Sequence, residues 1–237
     1  MKKMILLFCA FVTITSCYYR SVRGNGNVQT QSRNIGQFSA VSLLGSMNII
    51  LQKGDKNEVE LSAEENILPY VETYVENDRL IVKFRDNVNV TTHEDVVVKV
   101  TTPRIREIVL TGSGDIQSES KFVSDDRVKI DQTGSGNVKL DLSAPAVEVS
   151  IKGSGDVDLQ GETREAKFES MGSGNINAGA LKSESTDAHI LGSGDIHVFA
   201  SIKLNANIMG SGNVTYKGGG AVTQHVMGSG EVSKDEE

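Results

Sequence analysis

The stretch Val147–Gly161, VEVSIKGSGDVDLQG, alternates apolar and polar residues on both sides of a Gly-Ser-Gly triplet. Alternation at period two is the signature of a strand with one buried face, and glycines between two such runs mark a corner. The triplet recurs seven times, beginning at Gly112, Gly134, Gly153, Gly172, Gly192, Gly210 and Gly228, at spacings of 22, 19, 19, 20, 18 and 18 residues. The fourth residue after each start is Ile116, Val138, Val157, Ile176, Ile196, Val214 or Val232, so all seven are β-branched. Branched side chains pack well on pleated strands, and a unit this short cannot bury its apolar edge alone. The pattern predicts an all-β, single-stranded parallel β-helix-like stack of 18–22-residue coils, about 4.8 Å apart. Coil length without a hexapeptide repeat favours right-handed winding. A β-prism or hairpin stack is the alternative, because two strands beside a glycine corner can also turn back on each other.

Composition agrees with strands. The chain has 237 residues with 24 Gly, only three Pro, no Trp, five Tyr and seven Phe. Its formal net charge is −7, which argues against nucleic acid as a partner, since neutralising phosphates requires a basic face.

The N-terminus reads as a targeting segment. Lys2 and Lys3 precede the apolar run MILLFCAFVTI, which is too short to span a bilayer. It runs into Ile14-Thr15-Ser16-Cys17, the arrangement of a lipoprotein signal, so residues 1–16 are expected to be removed and Cys17 to be lipidated. Cys9, the other cysteine, falls inside that segment, leaving the mature chain without a thiol for a disulfide, a metal or nucleophilic chemistry. Residues 17–27 are read as the lipidated cysteine and a tether, residues 28–110 as a less regular β region with one short helix, and residues 111–237 as the repeat stack. Within the middle region, Gly45-Ser46-Met47-Asn48-Ile49 resembles a degenerate corner. EVELSAE, RLIVKF and DVVVKVTTP read as strands, and Pro69 limits any helix over Glu64–Asp78 to a short one.

Together, FSAVSLLGSMNIILQKGDKNEVELSAEENILPYVETYVENDRLIVKF and the GSG-D/N-I/V repeats resemble the bacterial family called putative auto-transporter adhesin, head GIN domain. Gly174-Asn175-Ile176 is close to the signature behind that name, and the likeness covers roughly residues 28 to 232. The resemblance implies a lipid-anchored or secreted envelope protein with a β-helix-like fold. It brings no catalytic motif that could be carried over residue by residue.

Each chemical reading of the repeat meets an obstacle. A phosphate cradle opens a helix and has a lysine nearby, whereas these triplets sit between strands and precede an acid or asparagine. Asp after Gly is shared with the calcium-binding nonapeptide repeat, yet each coil has one glycine corner and three of the seven positions are Asn. A hard cation needs six to eight oxygens, including several carboxylates. No metal site and no cofactor are therefore expected. The position reads Asp115, Asn137, Asp156, Asn175, Asp195, Asn213, Glu231, charged and neutral in alternation. In-register stacking would bring adjacent carboxylates to about 5 Å, costing about 1 kcal/mol in water and several when half-buried. Interleaved Asn doubles that separation. The seven corner glycines are thus read as structural, with the serine hydroxyl bonding the turn.

No catalytic residue emerges. His93, His189, His197 and His225 lack any accompanying motif, and Lys139, Lys167, Lys182 and Lys203 share no repeat position. Met171, Leu191, Met209 and Met227, each just before a triplet, form an apolar stripe that packs the core or offers a face for self-association. The expected function is a non-enzymatic binding, adhesion or structural module of the cell envelope, anchored to the outer membrane by lipid and contacting glycan or protein surfaces. A polysaccharide-processing enzyme on the same scaffold is the alternative. Clustered carboxylates in a groove would favour the enzyme; a flat polar ladder beside an apolar patch would favour binding. Cys17 is followed by Tyr-Tyr-Arg-Ser without acidic residues, so both the periplasmic face and the cell surface remain open as locations.

Overall fold

In the computed structural model, residues 20–235 are described, and apart from one 3-10 turn every regular element among them is a β-strand. Cys17 and the preceding segment lie outside the described residues. The first nine strands are β1 (Arg20–Arg23), β2 (Val28–Arg33), β3 (Ala40–Gly45), β4 (Asn48–Lys53), β5 (Glu58–Glu64), β6 (Val71–Glu76), β7 (Arg79–Phe84), β8 (Val88–Thr91) and β9 (Val97–Thr102). They are followed by β10 (Glu107–Gly112), β11 (Ile116–Ser118), β12 (Phe122–Val123), β13 (Val128–Gly134), β14 (Val138–Gly153) and β15 (Val157–Gly172). The remainder are β16 (Ile176–Gly192), β17 (Ile196–Phe199), β18 (Lys203–Gly210), β19 (Val214–Lys217), β20 (Ala221–Gly228) and β21 (Val232–Lys234).

From β10 onward each coil lies parallel on the next, forming a β-solenoid of about six turns. The hairpin alternative does not occur there, because equivalent strands of successive coils pair in the same direction rather than folding back on themselves. Register is kept at every corner: Gly45, Gly112, Gly134, Gly153, Gly172, Gly192, Gly210 and Gly228 pair in a single row. Coils bend where the burial alternation breaks, as at Arg164 and Glu165, both exposed between buried Thr163 and Ala166.

The core is a set of inward ladders. The β-branched residue after each corner stacks as Ile49, Ile116, Val138, Val157, Ile176, Ile196 and Val214, each at most 1 % exposed. Before the corner, Ile108, Ile130, Val149, Phe168, Ala188 and Ala206 form another row, in which the one large ring is followed by two small residues. Polar residues enter the core twice beside a corner. Gln132 Nε2 donates to the Gly136 carbonyl at 2.9 Å and Ser170 Oγ to the Gly174 carbonyl at 2.7 Å, giving these two buried donors a partner while Gln132 Oε1 is left without one.

The stack begins earlier than residue 111. β3 and β4 form a coil whose corner, Gly45, has φ +130°, and β10 and β11 lie directly on it. β7 and β9 then lie parallel on the other side of β3 and β4. The chain therefore builds the end coil second and returns past the first through Pro103–Arg106. Arg106 secures that crossing, its guanidinium donating to Ser39 Oγ at 3.0 Å and to Asp78 Oδ2 at 2.8 Å. Beyond the end coil the pairing turns antiparallel, with β6 on β7, β5 on β9, and β2 on β5. The segment around Pro69 holds a single 3-10 turn, Leu68–Tyr70, before entering β6.

Residues 20–27, read from sequence as tether, are instead held to the fold. β1 pairs with β8, and the Gly24–Asn27 loop wraps the buried carboxylate of Glu64. Its Oε1 accepts from the Gly26 N–H at 2.5 Å and its Oε2 from the His93 N–H at 3.1 Å. Burial pushes this carboxyl up, but the N–H groups of Gly26, His93 and Glu94, together with His93, outweigh it and hold the carboxyl below the usual glutamate value.

Candidate binding face

The corners are finished by main-chain bonds between coils. From Gly45 to Gly192 each first-glycine carbonyl accepts two N–H groups of the following corner: Gly134 O takes Ser154 N at 2.9 Å and Gly155 N at 3.2 Å, and Gly153 O takes Ser173 N and Gly174 N at 2.9 and 3.1 Å. The backbone N–H of the serine makes these bonds, while its side chain stands exposed. Both glycines are required, for different reasons. The first sits at φ +140° in Gly153, a conformation L side chains rarely adopt. The second is buried, and a Cβ on Gly155 would lie 2.0 Å from the Gly136 carbonyl oxygen. These loops are thus filled by the neighbouring coil and leave no cradle for an anion.

The acid/asparagine row is a hydrogen-bonded ladder. Asp115 Oδ1 accepts from both the N–H and the side-chain amide of Asn137, each at 2.9 Å, and Asn137 Oδ1 accepts the Asp156 N–H at 3.1 Å. The cycle repeats from Asp156 to Asn175 to Asp195, and from Asp195 through Asn213 to the Glu231 N–H. The Asn positions therefore do more than separate charges. A second carboxylate cannot donate, so only the amide satisfies the acid of the preceding coil. The same polarity recurs elsewhere: Gln160 Nε2 to Asp141, Asn177 Nδ2 to Asp158, and Asn205 Nδ2 to Asp187 at 3.0, 2.8 and 2.6 Å. In each pair the amide belongs to the later coil. Among the described residues no group of three or more His, Cys, Asp or Glu side chains is placed to hold a metal ion.

Outside the corners, the strands leading into them carry two rows that define one face. Five residues before each corner glycine stand Glu107, Lys129, Glu148, Lys167, Asp187, Asn205 and Thr223, in register and alternating in sign over the first five. Lys167 Nζ lies 3.7 Å from Glu148 Oε1, and Arg127 reaches the same carboxylate at 3.5 Å. The hydrogen bond from Lys129 to Asp131, at 2.6 Å, holds the Lys129 amine above the usual lysine value. An open groove of about 500 Å³ runs beside this row, lined by Arg127, Glu148, Lys167, Asp187, Lys203 and Asn205. Sequence reading missed the row because Lys167 and Lys203 were sought at a common position among lysines. Counting back five from each triplet and reading charge rather than residue type would have found it.

One position before each corner, Lys152, Met171, Leu191, Met209 and Met227 pair in succession. Leu191, Met209 and Met227 are 38, 45 and 51 % exposed, so this stripe faces outward instead of packing the core. His189 lies two residues before Leu191 on the same outward side, within 3.4 Å of the Asn207 amide, whereas His197 belongs to the strand after the corner. His93 sits far from both, accepting from Arg23 Nε at 3.3 Å. The histidines are not brought together.

Solved structures share this architecture. A crystal structure described as a putative adhesin from Bacteroides fragilis has a TM-score of 0.84 at 24% identity, covering 90% of this chain and 100% of that one. A putative lipid binding protein from Parabacteroides distasonis gives 0.77 at 27% identity, covering 92% and 100%. A putative adhesin from Parabacteroides merdae gives 0.74 at 26% identity with the same coverage. No curated protein matches the chain. The family model described as "Putative auto-transporter adhesin, head GIN domain" matches residues 37–220, the span from the segment leading into β3 to the turn before β20, and the chain belongs to that family.

Proposed function

We propose that this protein is a non-enzymatic, adhesion-type binding module of the cell envelope, held at the outer membrane by lipid on Cys17 and contacting a glycan or protein surface through the face leading into the corners. The observation that carries this reading is the pairing of two straight rows on that face. The sign-alternating row from Glu107 to Asp187 offers hydrogen-bonding and charged groups at each coil, about 4.8 Å apart. The outward Met171–Met227 stripe beside it supplies apolar contact. A repeating flat surface of this kind suits an extended partner better than a small enclosed substrate. Membership of the auto-transporter adhesin, head GIN domain family and the likeness to the Parabacteroides merdae protein described as an adhesin support the same class. Among the described residues no helix is long and apolar enough to cross a membrane, and the proposed anchor rests on the Ile14–Cys17 sequence.

The reading is tested by immobilising glycans and envelope proteins and measuring retention of the chain. A Leu191→Ser/Met209→Ser double variant is expected to bind about ten-fold less, in line with the loss of two apolar contacts. Unchanged retention, or depolymerisation of a retained polysaccharide by the wild type, would overturn the reading. For the anchor, Cys17→Ala should release the protein from the membrane fraction.

A further inference from the structure

We infer that the C-terminal end of the solenoid is a self-association edge, at which β20 pairs antiparallel with β20 of a second copy about a two-fold axis through Gln224. Among the described residues β20 is paired only with β18, and all eight of its residues are exposed. Val222 and Val226 continue the inward rows of Leu204 and Ile208, yet they are 36 and 37 % exposed because no coil covers them among the described residues. Natural edge strands are usually blunted by charge. Here Gly218–Gly230 contains no Asp, Glu, Lys or Arg.

Hydrogen-bond polarity sets the register. Ala221 N donates to Ile202 O and Ser229 N to Gly210 O, so the odd-numbered residues point their main-chain groups toward the preceding coil. Val222, Gln224 and Val226 therefore present N–H and C=O to the open side. Antiparallel partners that exchange both bonds must be drawn from this even set. Centring on Gln224 places Val222 opposite Val226 of the second copy and Gln224 opposite its own mate. Three pairs form with six main-chain bonds, and a valine pair on each side covers the open core. Shifting by one pair would set Val222 against Gly228 and lose that match. Pairing with the opposite end of another copy is less suited, because both outermost strands there carry charge: β6 has Glu72 and Glu76, and β2 ends in Arg33. A two-fold contact also closes after two copies, whereas head-to-tail stacking would continue.

The test uses the full chain extracted in mild detergent, with the wild type reporting any contribution of Cys9 and Cys17. Gln224→Cys should form a disulfide-linked dimer on mild oxidation, since directly opposed Cα atoms lie about 5.5 Å apart. Val226→Cys alone should yield at least about ten-fold less, its own mate lying about 14 Å along the strand, and adding Val222→Cys should restore the crosslink. Gln224→Pro removes only an outward N–H, so it should abolish the dimer in light scattering with circular dichroism unchanged. A wild type that stays monomeric at about 100 μM, well above the micromolar range of specific association, would overturn the inference. So would equal crosslinking of the 224 and 226 single variants, or a series of higher multimers. Should the proline variant unfold, the cysteine set still decides.

Discussion

At its N-terminal end the solenoid changes direction, and antiparallel β5 and β6 lie over β9 and β7 while the carboxylate of Glu64 ties down the Gly24–Asn27 loop. At its C-terminal end, among the described residues, β20 and β21 are each paired on one side and the inward Val222 and Val226 are in contact with solvent. Coils between these ends are bonded above and below. A coil's stability is expected to depend on how many neighbours it has, because each repeat contacts only the adjacent ones. A given substitution should then have different consequences at different heights in the stack.

The largest effect is expected from Gly155→Ala, whose Cβ would meet the Gly136 carbonyl at 2.0 Å from inside the stack. It should cost about 3 kcal/mol or more in denaturant unfolding, because backbone on both sides prevents relief. Gly230→Ala makes the same encounter with the Gly212 carbonyl, at 2.1 Å, in the last coil. That coil can peel away, so the cost should fall to about 1 kcal/mol. Equal costs at the two sites would break the comparison.

Asn175→Asp comes next. It removes the donor to Asp156 and sets three carboxylates in consecutive coils, which should cost about 1 to 3 kcal/mol at neutral pH and recover as acid protonates them. Glu64→Gln sharpens the view from the capped end. The lowered pKa of Glu64 stabilises the fold above the ordinary glutamate value, and that contribution is lost as pH falls through the folded value. The variant should be less stable than wild type at neutral pH and show a flatter acid limb in a pH series of thermal midpoints. The smallest effect is expected for Asp156→Asn, within about 0.5 kcal/mol, since an amide oxygen can still accept both bonds from Asn175.

Much of the stack is legible in the sequence because one physical demand recurs in every coil. The glycine pair and the β-branched residue after it mark the corner and the core rung, and Gly45 was recognisable as a corner despite lacking its second glycine. The functions of individual ladders are less legible. The Asp/Asn alternation could be seen, but the amide-to-carboxylate bond that explains it needs the register between coils. The charged row from Glu107 to Asp187 was legible by counting back from the triplets, and was overlooked because lysines rather than charges were compared. Local pattern also could not reveal the N-terminal path, in which the end coil is made from β7 and β9 after β3 and β4. Nothing in those strands states the order in which they stack. Arg20–Arg23 was assigned to a tether because a four-residue strand carries too few residues to display periodicity.

Hydrogen exchange across the whole chain tests most directly whether the glycine corners are rungs of the stack or loops on its surface. Corners whose serine and second-glycine N–H groups bond the preceding coil should exchange as slowly as the flanking strands from Ser135 to Gly194, with protection declining toward β21. Rapid exchange of the Gly-Ser-Gly segments beside protected strands would contradict the account.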